Sequence, residues 1–446
     1  MILICFTTEY REGGASFERV AHALADERGL LTSGSGPGSS RIEVVRVESK
    51  RAWIEAMRTH SEATPLRELH FVGHGGMYGP MLGTTAWPEQ LSPHEWRALV
   101  KPRDEGGRVS LAEDAEVFVH TCRSARWFAP FLARTWGVTC WGNYWYTTFS
   151  AMRDRFVHPW RASGDAPLYL FGCPGKTSHG WLASAHKHLL GGEPERMRSF
   201  TPDPTGGAES YDSVATAYDD TFADIGVRKA EVEWIEARIE GRLRPPRLLE
   251  IGCGNGALLA RIAPQIEWGF GVDTSAAMIE HAKRRVGAHQ HLSAEWIEGP
   301  SIPLPNDSVD CVLSMLSWRY LDWEPMLREI SRVLSPNGAL WVVDMVEKPA
   351  RLRELPRLAA NLLQESGAAF RTPEFRRARR QMVRSEQWQR LVTHNPMRAL
   401  HEYEWFFRSR FPEVKVETLS LGRRARVMAY DCGVMSRAKL EPLRYP

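Results

Sequence analysis

The chain has 446 residues, a formal net charge of +3, and 43% hydrophobic against 25% charged side chains. That length suits two domains, each with its own core, and so small a charge gives no argument for a nucleic-acid or membrane partner. Seven cysteines stand at 5, 122, 140, 173, 253, 311 and 432 without a C-x-x-C pair or a zinc spacing with His, so no structural metal is expected.

In chain order, MILICF reads as an apolar strand rather than a signal peptide, because no basic leader precedes it and an acid follows at residue 9. No run is long and apolar enough to span a bilayer, and the scattered cysteines suit a reducing cytoplasm. FERVAHALADE reads as a helix, LTSGSGPGSS as a loop, RIEVVRV as a strand and SKRAWIEAMRTH as a helix. The strand LHFVG, the helix SPHEWRALV, the strand AEVFVH and the helix ARWFAPFLARTW follow. Strands alternating with helices predict a parallel sheet covered on both faces.

Two of these strands end in chemistry. One runs into His74, Gly75 and Gly76, the next into Cys122. Carboxyl ends of neighbouring strands share one crevice, so His74 and Cys122 are expected close together. A His beside a Cys favours the nucleophilic thiolate, and a helix starting at Ser124 would add its amino end. Amides after His74 could serve an oxyanion, and His120 could support the nucleophile or merely fill the core. The aromatic run Trp141 to Phe149 is expected to wall the crevice. A strand ending in His-Gly and another ending in Cys resembles the caspase-like (CHAT/gingipain-type) cysteine peptidases. The resemblance implies a caspase-like α/β sandwich over residues 1–190 and a catalytic His74/Cys122 dyad. The caspase run Gln-Ala-Cys-Arg-Gly is only partly echoed at 120–124, so specificity for Asp is not carried over.

Residues 191–208, rich in Gly, Pro and charge, read as a linker. Beyond it, RLLEIGCGNG (247–256) is a strand running into a glycine-rich turn, and GFGVDTS closes the next strand on Asp273. Glu250, Gly252, Gly254, Gly256 and Asp273 form E-x-G-x-G-x-G plus a distal acid, not the dinucleotide G-x-G-x-x-G. This pattern resembles motif I of the class I S-adenosylmethionine (SAM)-dependent methyltransferases, and the resemblance spans 209–346 well and the tail to 446 loosely. It implies a Rossmann-like fold, SAM as cofactor, glycines that admit its methionine part, and Asp273 on the ribose hydroxyls.

The same resemblance makes Tyr211 and Tyr218, in YDSVATAYDDTF, part of a helix lying over the cofactor. It places Glu298 near the adenine, flanked by Ile297 and Gly299, and Ser314 at the end of the fourth strand. It also expects Trp318, Arg319 and Tyr320 at the acceptor side, with Trp318 equally readable as a core residue, and a Pro-Asn-Gly turn before the fifth strand. The insertion 347–404 resembles a helical lid, with Phe375, Met382, Val383, Trp388 and Leu391 at helical spacing. Its arginine-rich face suits an acidic partner, or is a solvated helix face.

Methyl transfer needs positioning more than a dedicated base. The expected acceptor is a small molecule or peptide, and a protein substrate is expected for the thiol dyad. Three arrangements stay open: an active thiol hydrolase beside the methyltransferase, an inactive recognition module, and a protease gated by SAM.

Overall fold

The computed structural model describes residues 1–7, 14–33, 41–83, 90–91, 93–100, 109–176, 184–202, 211–348, 350, 354, 356, 358, 373–395, 397–423 and 425–434. The expected loop tip at 34–40, residues 203–208 of the expected linker and most of 351–372 lie outside these. The chain divides into two compact units, Met1–Gly206 and Gly207–Pro446.

The first unit runs β1 (Ile2–Phe6), α1 (Gly14–Ser33), β2 (Ile42–Arg46), α2 (Lys50–Glu62), β3 (Leu66–Val72), β4 (Gly75–Gly76), β5 (Gly79–Pro80), α3 (Pro93–Leu99), β6 (Leu111–His120) and α4 (Phe128–Trp136). There follow β7 (Thr139–Gly142), β8 (Thr147–Ser150), β9 (Tyr169–Gly172), α5 (Ala185–Leu190) and β10 (Arg198–Phe200). Among the described residues its main sheet has the order β10-β7-β6-β3-β1-β2, parallel except for β10. β1 is apolar throughout and wholly buried, as a strand covered on both faces must be. α4 turns Phe128, Phe131, Leu132 and Trp136 inward and stops at Gly137, whose φ of 69° suits glycine best.

Two expectations are corrected here. The segment after residue 190 is not simply linker: β10 pairs antiparallel with β7 (Ser199 opposite Trp141), because Phe200 packs against the core and the edge of β7 is open to a partner. Nor does an α-helix start at Ser124. A single 3-10 turn, Ser124–Arg126, intervenes before α4, since Arg123 takes a left-handed φ of 59° that breaks the helix path.

The second unit runs α6 (Ala215–Phe222), α7 (Lys229–Glu240), β11 (Arg247–Ile251), α8 (Ala257–Ile262), β12 (Trp268–Asp273), α9 (Ala276–Val286), β13 (Leu292–Trp296), β14 (Val309–Met315), α10 (Trp323–Val333) and β15 (Leu334–Glu347). It closes with α11 (Pro373–Arg384), α12 (Glu386–His394), α13 (Leu400–Arg410), β16 (Lys415–Leu421) and β17 (Ala425–Val434). The sheet order is β13-β12-β11-β14-β15-β17-β16, with β17 antiparallel to both neighbours. Strand order reverses between β11 and β14, so a crevice opens beyond their carboxyl ends.

Pro336-Asn337-Gly338 is no free turn. It bulges out of β15, where pairing jumps from Val309–Leu334 to Cys311–Ala339. The expected lid also ends earlier than 404, because α13 is a core helix. Its Leu400, Tyr403, Phe406 and Phe407 are all buried, at about 1.5–3 kcal/mol for each large apolar side chain. Among the described residues the lid contributes α11 and α12, and they lean on the segment before β11: Phe375 meets Phe222 at 5.8 Å and Trp388 meets Tyr211 at 6.4 Å.

Candidate functional sites

In the second unit the three glycines of the loop after β11 each sit at positive φ: 71° at Gly252, 54° at Gly254 and 72° at Gly256. Their surroundings differ. A Cβ on Gly252 would fall 2.2 Å from the Ser317 Cβ, and one on Gly256 would fall 3.1 Å from the Ala282 backbone in α9. At Gly254 nothing lies within 4 Å. The middle glycine therefore faces open space, a cradle that a side chain would fill.

Asp273 closes β12 opposite this loop. Its Oδ2 accepts the Gly254 N–H (2.9 Å) and its Oδ1 the Ser275 N–H (2.9 Å). Each oxygen keeps further acceptor capacity for a ligand hydroxyl. Burial raises the Asp273 carboxyl above its ordinary range against these amide bonds. Glu250 is buried beside it, and burial with the Asp273 charge pushes it well above the usual carboxylate range. Its Oε2 has no hydrogen-bond partner among the described residues. A buried, unmatched carboxylate next to an open cradle fits a ligand that brings a cation.

α6 and the segment before it tie over this loop. Asp212 accepts from the Ser275 hydroxyl (2.6 Å) and the Ala277 amide (3.0 Å). Asp219 accepts from Asn255 (2.9 Å) and Arg285 (2.9 Å), with His281 at 2.8 Å. Tyr211 and Tyr218 are half-buried and meet edge to face at 5.7 Å. Asp212, Asp219, Asn255 and Arg285 were not singled out from the sequence, although two of the acids stand inside the quoted YDSVATAYDDTF run.

The remaining expected residues fall into different places. Glu298 is exposed just past β13, where the Ile297 N–H bonds the Asp273 carbonyl at 3.0 Å. Ser314 is fully buried behind the loop. Its hydroxyl lies 2.8 Å from that of Ser317, which donates to the Ile251 carbonyl (2.7 Å) and fills the space below Gly252. Leu316, at a φ of 60°, turns the chain to bring Ser317 there. Trp318 takes the second of its two readings, the core. It is fully buried against Phe407 (5.6 Å) and Phe406 (6.2 Å), since a large apolar ring gains most in the core.

Arg319 and Tyr320 do come together with Tyr211. Arg319 is clamped by Asp344, its backbone N–H reaching Oδ2 at 2.8 Å and its Nη1 reaching Oδ1 at 2.7 Å. The Tyr403 hydroxyl also donates to Asp344, at 2.7 Å. From there Arg319 Nη2 donates to the Tyr320 oxygen (2.8 Å), which lies 2.8 Å from the Tyr211 oxygen. The predicted Arg319 charge is thus balanced internally by a fully buried Asp344, and a phenol pair is what the chain of bonds presents.

In the first unit, β3 and β6 are neighbours, and each runs on within two residues to His74 or Cys122. A Cβ on Gly75 would sit 2.6 Å from the Thr121 Cβ, so the two loops are in direct contact. His74 packs edge-on against Phe17 at 4.9 Å. The Cys122 sulfur lies 3.2 Å from the Thr147 hydroxyl and accepts the Thr147 N–H at 3.3 Å. The aromatic run is less an apolar wall than an arginine stack: Arg198 lies over Tyr144 at 3.9 Å, Arg126 over the same ring at 4.8 Å and Arg123 over Tyr146 at 5.4 Å.

His120 belongs to a buried line that sequence reading missed. Its Nε2 is 3.1 Å from His70 Nδ1, His70 Nε2 is 2.9 Å from Glu68 Oε2, and Glu68 pairs with Arg28 at 2.7 Å. Burial, then the neighbouring His70 and Arg28, hold His120 well below the ordinary histidine range. Alternation along LRELHFV was the available signal, since it puts Glu68 and His70 on one face of β3.

Comparison with known proteins bears on the second unit. Residues 249–342 match the sequence model of a family described as a methyltransferase domain. The biotin biosynthesis bifunctional protein BioHC of Cellvibrio japonicus is 29% identical over 154 residues, 34% of this chain and 29% of that protein. The demethylmenaquinone methyltransferase of Thermus thermophilus is 30% identical over 128 residues, 27% of this chain and 57% of that enzyme. The chain thus spans less than two thirds of either relative's length. A solved SAM-dependent methyltransferase from Aquifex aeolicus covers 49% of this chain and 97% of its own at 14% identity, with a TM-score of 0.33. No helix among the described residues is long and apolar enough to cross a membrane. Residues 249–342 carry a methyltransferase domain, and S-adenosylmethionine is its cofactor.

Proposed function

We propose that the second unit transfers a methyl group from SAM to a small-molecule or peptide acceptor. The observation that carries this is the open side of Gly254, framed by Asp273 and the unmatched Glu250 carboxylate. SAM brings an activated methyl on a sulfonium and a separate ammonium, and Glu250 is placed to meet positive charge. Asp273, already oriented by two amides, holds the ribose, and Gly254 leaves room for the methionine part. Tyr211 and Tyr320 orient the acceptor through their hydroxyls, with Arg319 and Asp344 fixing Tyr320 from behind. α11 and α12 limit access of water to this edge. Glu298 as an adenine partner belongs to the same proposal.

Calorimetric titration with SAM tests it. Wild type should bind, and Asp273→Ala should bind about 10–100-fold more weakly, the worth of a hydrogen bond to a charged group. Absence of binding to the wild type sinks the proposal.

A second reading concerns the first unit, a caspase-like thiol hydrolase acting on a protein substrate. The contact of Gly75 with Thr121, which joins the loops bearing His74 and Cys122, favours it. Digestion of a peptide library by wild type but not by Cys122→Ala is the expected outcome. No Cys122-dependent cleavage, with and without SAM, would leave a recognition module instead.

A further inference from the structure

Lys176 lies in the turn after β9 and is almost wholly buried. Its Nζ donates to the Thr147 carbonyl at 2.8 Å. Thr147 is also the residue whose N–H and hydroxyl approach the Cys122 sulfur. One residue of β8 therefore holds an ammonium on its carbonyl and a thiol on its amide. Among the described residues no carboxylate pairs with Lys176.

A buried cation is costly unless an anion balances it. Among the described residues, the ionisable groups acting on this one are the thiols of Cys122 and Cys173. Cys173 is fully buried, while Cys122 keeps a little exposure and receives the Thr147 N–H. Among the described residues, other titratable or charged groups on the adjoining segments are His74, next to the Gly75 that meets Thr121, Lys187 acting on Cys173, and Arg123, whose guanidinium reaches the Tyr146 hydroxyl at 3.3 Å.

We infer that Lys176 is a positioning residue that holds Cys122 as a thiolate, its ammonium supplying the counter-charge through the shared Thr147 contact. Ionisation breaks the S–H bond, leaves the electron pair on sulfur and passes the proton to solvent base. Burial pushes Lys176 below the ordinary lysine range, and the neighbouring Cys122 and Cys173 side chains act in the opposite direction. The inference deepens the thiol-hydrolase reading, yet it concerns ionisation rather than turnover.

The test follows iodoacetamide alkylation of Cys122 against pH in the full chain, read by mass spectrometry. Lys176→Gln keeps a donor for the Thr147 carbonyl and removes the charge, and Lys176→Arg keeps the charge. The midpoint should rise by at least one pH unit in Lys176→Gln, slowing alkylation about tenfold below it, with most of the shift restored in Lys176→Arg. A folded Lys176→Gln protein with the wild-type midpoint overturns the inference.

A reciprocal measurement covers failure of that variant to fold. The ε-carbon of 13C-labelled Lys176 should titrate lower in Cys122→Ser than in wild type, because coupling acts equally on both partners. Identical Lys176 titrations overturn the inference as well. If the couplings appear but Cys122-dependent cleavage does not, the hydrolase reading fails and the Lys176 assignment stands.

Discussion

At the scale of single residues, two buried carboxyl groups of the second unit are satisfied in opposite ways. Glu250 has a raised folded pKa, so the ligand-free protein holds a proton there that the unfolded chain has given up. Its stabilising share is present at low pH and is lost as pH rises from the ordinary value of 4.5 through the raised one. A cationic cofactor should reverse the shift and expel the proton. SAM titrations in buffers of different ionisation enthalpy should show proton release by wild type and less by Glu250→Gln. Equal release by both would rule Glu250 out as the group concerned.

Asp344 is the opposite case, a buried charge fully engaged by Arg319 and Tyr403. Asp344→Asn should destabilise the second unit by about 3–5 kcal/mol, because it leaves a buried guanidinium without its counter-charge. Urea unfolding measures this, and Tyr403→Phe should cost only about 1–2 kcal/mol. Asp344 was not legible in the sequence: in LWVVDM it reads as one polar residue closing an apolar strand, and its two partners come from 25 and 59 residues away.

At the scale of elements, strands and glycine turns were the readable parts, because their signals are local. Apolar runs announced β1, β3, β6, β11 and β12, the resemblance announced β14, and E-x-G-x-G-x-G announced the turn after β11. What failed to show was anything decided by a partner strand or helix. β10 is three residues, Arg198–Phe200, amid turn-forming sequence, and only the open edge of β7 makes it a strand. α13 looked like lid by position, yet its aromatic face is buried as deeply as any strand. A chain of residues 1–190 should therefore be less stable to urea than one of residues 1–206, by about 1–3 kcal/mol for lost edge pairing and the Phe200 packing. Equal midpoints and slopes would assign β10 no part in that fold.

At the scale of the whole molecule, the two units answer to pH differently. In the first, His120 is held neutral by burial, so its folded pKa lies below its unfolded value of 6.5. Its share of stability is complete above 6.5 and is lost as pH falls toward the folded value, at about 1.4 kcal/mol per pH unit. Thermal unfolding of the first unit should fall between pH 7 and 5, and His120→Gln should flatten that slope. An unchanged slope would mean that other groups govern it. The candidate sites follow the same division: each stands at the carboxyl ends of adjacent parallel strands, a rule that sequence order alone made usable. The ties that complete them, Thr147 to Cys122 and Asp219 to Asn255, cross 25 and 36 residues and carry no pattern of their own.

The three glycines after β11 have a consequence for how this chain can vary. At 252 and 256 a substitution meets two independent obstacles, the positive φ and a collision, with Ser317 in one case and with α9 in the other. At 254 it meets the first alone. Since the genetic code offers no other residue without a Cβ, every missense change at 252 or 256 should be read out as loss of folded protein. Changes at 254, above all to Asn or Asp, should leave an abundant protein that has lost its ligand. Scored by abundance and by cofactor capture in one library, these neighbouring codons would separate damage to the scaffold from damage to the site.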